Sequence, residues 1–170
     1  MDLKQTIRVI PDFPQKGIRF KDITTLMKDP VAFRQSIDDM AALVADLEID
    51  VLVGPEARGF LMGAPLAYKL NAGFVPVRKS GKLPADVITA SYELEYGKDT
   101  LEIHKDAINP GTKVLVVDDL LATGGTIWSA VDLVRQLGGE IVGVLFLIEL
   151  TYLNGREKLA DYPIYSLIKY

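Results

Sequence analysis

The sequence predicts an α/β fold, a mostly parallel twisted sheet flanked by helices, and three observations carry that prediction. Val114 to Val117 is an unbroken run of branched aliphatics, as found where a strand is buried on both faces of a parallel sheet. Strand-like and helix-like periodicities alternate along the chain. Three strand-like segments run into polar, charge-bearing loops, which such an architecture gathers along one edge of the sheet.

The elements follow in order. Residues up to Ile10 suit a short helix, and Pro11-Asp12-Phe13-Pro14 is a turn-rich stretch that two prolines keep irregular. Gly17 to Ile23 reads as irregular or briefly extended. Asp29 has the character of an N-cap with Pro30 at the first helical position, opening a helix whose Phe33, Ile37, Met40, Ala41, Val44 and Leu47 share one face. Ile49 to Val53 is a core strand running into Gly54-Pro55-Glu56-Ala57-Arg58-Gly59. A helix spans Phe60 to Leu70 and is ended by Asn71-Ala72-Gly73. Phe74 to Val77 is the next strand, closing on Arg78-Lys79-Ser80-Gly81-Lys82.

Leu83 to Ala107 breaks the alternation. Tyr92, Leu94 and Tyr96 alternate with Glu93 and Glu95, and beyond the Gly97-Lys98-Asp99 turn Leu101 and Ile103 alternate with Glu102 and His104. The pattern is that of a β-hairpin with one polar face, inserted between sheet strands. After it come the Val114 strand, a helix with Ile127, Ala130, Val131, Val134 and Leu137 on one face, and a stop at Gly138-Gly139. A strand over Glu140 to Ile148, a short helix at Arg156 to Ala160 and a strand over Ile164 to Ile168 complete a single domain, residues 1–170.

Composition narrows the chemistry. A net charge of −4, 49% hydrophobic residues and 8% aromatics lack the basic excess of a nucleic-acid binder. With no cysteine and a single histidine, thiolate catalysis, disulfides and soft-metal clusters are excluded, leaving hard cations held by carboxylates or phosphates. The longest apolar run, Ile141 to Ile148, cannot span a bilayer, and Met1 to Gln5 does not resemble a signal peptide. The expectation is a cytoplasmic protein with neither nucleic acid nor membrane as partner.

The chemistry concentrates in Lys113 to Thr126. The Val114 strand ends in Asp118-Asp119, and Ala122-Thr123-Gly124-Gly125-Thr126 follows as small residues and hydroxyls opening a helix. Adjacent carboxylates at a strand end are costly unless they bind something. A loop whose N–H groups and helix start face one point suits an anion, so the run reads as a sugar-phosphate site.

This run resembles the binding motif for phosphoribosyl diphosphate (PRPP) of type I phosphoribosyltransferases. Gly54-Pro55-Glu56-Ala57-Arg58-Gly59-Phe60, Arg78-Lys79-Ser80-Gly81-Lys82-Leu83-Pro84 and Tyr92 to Asp99 look like the adenine-specific members of that family. The resemblance covers nearly the whole chain. It implies the type I phosphoribosyltransferase fold with a small N-terminal hood, and makes the hairpin of residues 83–107 a lid. The implied reaction joins PRPP and adenine into AMP and diphosphate in purine salvage, with Mg2+ carried by PRPP and a homodimer in which a partner could supply some cations.

Roles carried over from the resemblance are as follows. Ala122, Thr123, Gly124, Gly125 and Thr126 would hold the 5′-phosphate, and Asp118 and Asp119 the ribose and its Mg-PRPP. Arg58, Arg78, Lys79 and Lys82 would take the diphosphate, although Lys82 reads equally well as a solvated loop lysine. Glu95 would manage the purine proton, whereas the residues alone make it a solvated strand glutamate. Arg19, Phe20, Lys21 and Leu150 would hold adenine, whereas the residues alone make Phe20 a core aromatic. A 6-oxopurine or orotate enzyme, or a PRPP-sensing regulator, are the competing readings. Read as a lid, the hairpin is expected to be dispensable for folding: removing residues 85–106 should leave a folded protein with collapsed turnover, whereas unfolding would place the hairpin in the core.

Overall fold

The computed structural model describes residues 1–94 and 97–170. The strands are β1 (Arg8–Pro11), β2 (Arg19–Asp22), β3 (Val51–Pro55), β4 (Gly73–Lys79), β5 (Val87–Leu94), β6 (Gly97–His104), β7 (Lys113–Leu121), β8 (Glu140–Glu149) and β9 (Ile164–Lys169). The α-helices are α1 (Thr24–Met27), α2 (Pro30–Leu43), α3 (Arg58–Leu70) and α4 (Gly125–Gln136). Among the described residues, seven strands form one sheet in the order β5-β6-β4-β3-β7-β8-β9, and β1 and β2 form a separate antiparallel pair. From β4 to β9 all neighbours are parallel; β5 and β6 are added antiparallel at one edge. This is the mostly parallel α/β sheet that the sequence predicts, with the small N-terminal hairpin as its hood.

Alternation along β7 explains the two cores. Leu115 and Val117 face a cluster with Met40 of α2 and Met62 and Leu66 of α3. Val114 and Val116 face the opposite cluster, with Ile127, Val131 and Val134 of α4 and Phe146 of β8. The helix ends follow local chemistry. Asp29 Oδ1 accepts from the Val31 N–H at 2.9 Å and the Ala32 N–H at 3.1 Å at the start of α2, and Asn71, at φ 54°, closes α3. Among the described residues no helix is long and apolar enough to cross a membrane.

The topology places the site. From β3 the chain crosses through α3 to β4 on one side, and from β7 through α4 to β8 on the other, so the direction of winding reverses between β3 and β7. Their pairing runs only to Val53 opposite Val116, while β7 continues along β8 as far as Leu121 opposite Glu149. A notch therefore opens at the carboxyl ends of β3 and β7, where open α/β sheets bind ligands.

Three local expectations change. The segment before Ile10 makes only a 3-10 turn over Leu3–Thr6, because Arg8–Pro11 is drawn into pairing with β2. The strand carrying the acids does not stop before them, since pairing with β8 holds Asp118 opposite Phe146 and Leu120 opposite Ile148. The hairpin is more than a polar-faced insertion. At its base β6 pairs with β4, Arg78 opposite Glu102 and Lys79 opposite Leu101, and Leu101, Ile103 and Ala90 are buried against the α4 face of the sheet.

Removal of residues 85–106 is consequently expected to unfold the protein, contrary to the expectation for a dispensable lid. Losing one buried Leu or Ile side chain costs about 2–5 kcal/mol, against a whole-domain margin of about 5–15 kcal/mol. A thermal melt followed by circular dichroism should show no cooperative transition for the deleted form.

Candidate active site

A cavity of about 280 Å³ fills the notch, lined by Glu56 and Ala57 from the turn after β3 and Arg58 at the start of α3, by Asp118 to Ile127 from β7 and the start of α4, and by Tyr92 of β5. The acid pair, Arg58 and the 122–126 loop thus meet in one space, although Arg58 and Asp119 are far apart in sequence.

The two carboxylates have different surroundings. Asp118 Oδ1 accepts from the Asp119 N–H at 2.8 Å. Asp119 is 2% exposed, and its Oδ2 lies 3.2 Å from Arg58 Nε in an ion pair. Among the described residues that same Oδ2 is a buried side-chain oxygen with no hydrogen-bond partner. Burial, reinforced by the Asp119 charge, pushes the Asp118 carboxyl well above its ordinary range. Burial also raises Asp119, against the lowering effect of Arg58. Two desolvated acids sharing one arginine are poor for stability and well suited to a ligand that brings positive charge or hydroxyl donors.

The loop beside them has the geometry of an anion cradle. Gly124 sits at φ 88° and caps the start of α4, a conformation that side chains resist. A Cβ at Gly124 would also lie 2.9 Å from the carbonyl oxygen of Gly155, so the loop and a neighbouring turn are in backbone contact.

The predicted cation loop lies at the rim. Glu56 Oε1 accepts from the Lys79 N–H at 2.7 Å and from Arg78 Nε at 3.3 Å. Burial pushes the Glu56 carboxyl up, and the Lys79 and Arg78 bonds more than offset it, leaving the group below its ordinary value. Lys79 Nζ is 3.5 Å from Asp99 Oδ2, and Lys82 is exposed. Among the described residues Arg78 is not in the cavity lining and meets it through Glu56.

The predicted adenine residues are spread differently. The Phe20 ring lies 5.3 Å from the Arg58 guanidinium carbon, which puts the hood against the cavity. Arg19 is exposed on β2. Lys21 is buried and points the other way along the strand's alternation, its Nζ 4.3 Å from the centre of the Tyr170 ring. Burial, with the charges of Arg19 and Lys4, lowers its pKa. Leu150 is buried in the core on the α2 side. Glu95 falls outside the described residues.

Sequence reasoning gave no role to several residues that organise this region. Alternation along the hairpin puts Glu102 on the solvated face, but it is 6% exposed and accepts from Ser80 Oγ at 2.8 Å and the Gly81 N–H at 3.2 Å. Tyr92, read as an apolar-face residue, lines the cavity and donates to Asp99 Oδ2 at 3.0 Å. The only available signal for Glu56 was its place in a charged strand-to-helix loop.

Magnesium prefers an octahedron of oxygens and keeps several waters. Among the described residues no group of three or more side chains could hold a metal by itself. The acid pair with the open Asp119 Oδ2 fits an ion whose remaining ligands come from a bound phosphate compound.

A phosphoribosyl transferase domain matches residues 28–169, and the chain belongs to the phosphoribosyltransferase family. A protein of Brevibacillus brevis named adenine phosphoribosyltransferase is 61% identical over 170 residues, covering all of both chains. The crystal structure of adenine phosphoribosyltransferase from Thermoanaerobacter pseudethanolicus superposes with a TM-score of 0.97 at 58% identity, covering 99% of this chain and 98% of that one. That of the Saccharomyces cerevisiae enzyme, complexed with an imino-altritol bisphosphate and adenine, gives 0.92 at 43% identity, covering 97% and 96%. Within the family, the chain belongs with the adenine phosphoribosyltransferases.

Proposed function

We propose that the chain transfers the phosphoribosyl group of PRPP to adenine, giving AMP and diphosphate in purine salvage. The observation that carries this reading is the buried, unbonded Asp119 Oδ2 beside Arg58 in a cavity floored by the 122–126 loop. That arrangement suits a phosphorylated sugar with free hydroxyls and a leaving diphosphate. The names of the full-length relatives support adenine as the acceptor.

In the reaction the bond from C1′ to the diphosphate oxygen breaks while the adenine nitrogen forms the new C1′–N bond. The sugar passes through an oxocarbenium-like state, so catalysis rests on electrostatic stabilisation and positioning. Residues Ala122 to Thr126 hold the 5′-phosphate through backbone N–H groups and the two threonine hydroxyls. Asp118 and Asp119 accept from the ribose hydroxyls, and their negative charge favours the cationic sugar. Arg58 takes the departing diphosphate, with Arg78, Lys79 and Lys82 adding charge as their loop closes. Magnesium bound with PRPP supplies further neutralisation of the diphosphate. Phe20 lies against the base while backbone groups of Arg19 and Lys21 read its edge, Leu150 backs it from the core, and Glu95 takes the proton the base loses.

The same reading includes a cytoplasmic homodimer. Leu61 and Tyr68, 40% and 92% exposed, lie two turns apart on one face of α3, which supports an apolar contact between copies there. Diphosphate release measured with adenine, hypoxanthine, guanine and orotate in turn tests the function. Turnover with adenine alone is expected, and robust turnover with another base instead would overturn it.

A further inference from the structure

We propose that Arg156 is a positioning residue for the phosphate loop, fixing the turn that backs residues 122–126. The inference rests on the reading of that loop as the 5′-phosphate cradle. Arg156 is not part of the cavity lining, and acts on the loop through Gly155 and Glu149.

Both routes are short. Glu149, the last residue of β8, is paired with Leu121, the last residue of β7 and the one that precedes the loop. Its carboxylate is buried and receives Arg156 twice, Nε to Oε1 at 2.6 Å and Nη2 to Oε2 at 2.8 Å. Ser166 Oγ of β9 donates to Glu149 Oε2 at 2.5 Å and accepts from Arg156 Nη2 at 3.2 Å, and Nη1 donates to the Ile164 carbonyl at 3.3 Å. Arg156 thereby ties its turn to the end of β8 and to the first half of β9 through its planar fork, which a lysine could not reproduce.

The turn touches the cradle at Gly155. A Cβ there would lie 2.5 Å from the Ala122 carbonyl oxygen and 2.8 Å from Leu121 Cδ1, while the Gly155 carbonyl backs Gly124. The first and third residues of the loop therefore rest on the backbone of the residue next to Arg156. N–H groups aimed at an anion work only if they cannot turn away from it, and this turn removes that freedom from behind.

The test compares Arg156→Met, Arg156→Lys and Ser166→Ala in the full chain, with Thr126→Ala as the control for the cradle itself. Binding of ribose 5-phosphate and of magnesium diphosphate is measured, together with KM for PRPP and adenine. Loss of a charge-assisted fork should weaken ribose 5-phosphate by about 10-fold in Arg156→Met, with a matching rise in the PRPP KM. Diphosphate affinity and the adenine KM should stay within about 2-fold, since the fork holds only the phosphate side. Arg156→Lys should fall between, and Ser166→Ala should shift the same ligand in the same direction by about 2-fold. A purely stabilising arginine would lower the melting temperature without this ligand selectivity. Unchanged ribose 5-phosphate binding, or equal losses for all ligands, overturns the proposal. If Arg156→Met does not fold, the same selectivity or its absence in Arg156→Lys and Ser166→Ala decides. If Thr126→Ala also leaves ribose 5-phosphate binding intact, the cradle reading fails; if only Thr126→Ala weakens it, the positioning role fails alone.

Discussion

Replacing both Asp118 and Asp119 by asparagine is expected to raise the KM for PRPP by about 100-fold or more while leaving adenine binding nearly unchanged. Two charge-assisted contacts to ribose hydroxyls are removed, each contributing on the order of 1.5–3 kcal/mol. The same change should make the unliganded protein more stable. Burial raises both carboxyls above their ordinary value, so at neutral pH the folded form binds protons more tightly than the unfolded chain. The stability penalty is therefore present at neutral pH, relieved as pH falls through the raised values, and absent once both states are protonated. Asparagine removes it at all pH values, and relief of about 1 kcal/mol would raise the melting temperature by roughly 2–4 °C. Calorimetry of the free protein alongside PRPP titration checks both halves; equal losses for PRPP and adenine would mark the acids as structural.

Arg58→Ala should produce the second large effect, a fall in PRPP and diphosphate affinity of about 10- to 100-fold from one lost charge-assisted contact. It also leaves Asp119 without its ion-pair partner. Arg58 is the charge that lowers Asp119 against burial, so its loss raises the pair further. The acid limb of the PRPP kcat/KM profile should accordingly move to higher pH, a shift that a simple loss of diphosphate contact would not cause. A pH profile with an unmoved acid limb would show that Arg58 and Asp119 are not coupled in the working enzyme.

The parts of this protein legible in its sequence are those governed by local pattern. Asp29-Pro30 marked the start of α2, the aliphatic run marked β7, and Gly138-Gly139 marked the end of α4, because capping and burial periodicity act over a few residues. The acid pair and the small-residue loop were legible for the same reason, being contiguous. What the sequence hid depends on pairing between distant segments. β7 passes through the acids because β8 runs alongside, and nothing near Asp118 records that. Glu102 looks like any solvated strand glutamate until β6 is set beside β4, where Ser80 and Gly81 turn it into a buried anchor. Glu149, Arg156 and Ser166 lie on three separate elements, so their convergence behind the phosphate loop is a property of the fold alone.

The notch between β3 and β7 also explains why an energetically poor feature persists. An acid pair in which the buried Asp119 keeps one oxygen without a hydrogen bond sits where the ends of β3 and β7 part, a place where a ligand can reach it. The same parting lets Arg58, from the far side of the reversal in winding, reach Asp119.

A crystal structure of the protein with magnesium PRPP would test this account most directly. The expected result has the 5′-phosphate on the N–H groups of residues 122–126, the ribose hydroxyls on Asp118 and Asp119, and the diphosphate at Arg58. A PRPP molecule bound with its sugar away from the acid pair, leaving Asp119 Oδ2 still without a hydrogen bond, would contradict it.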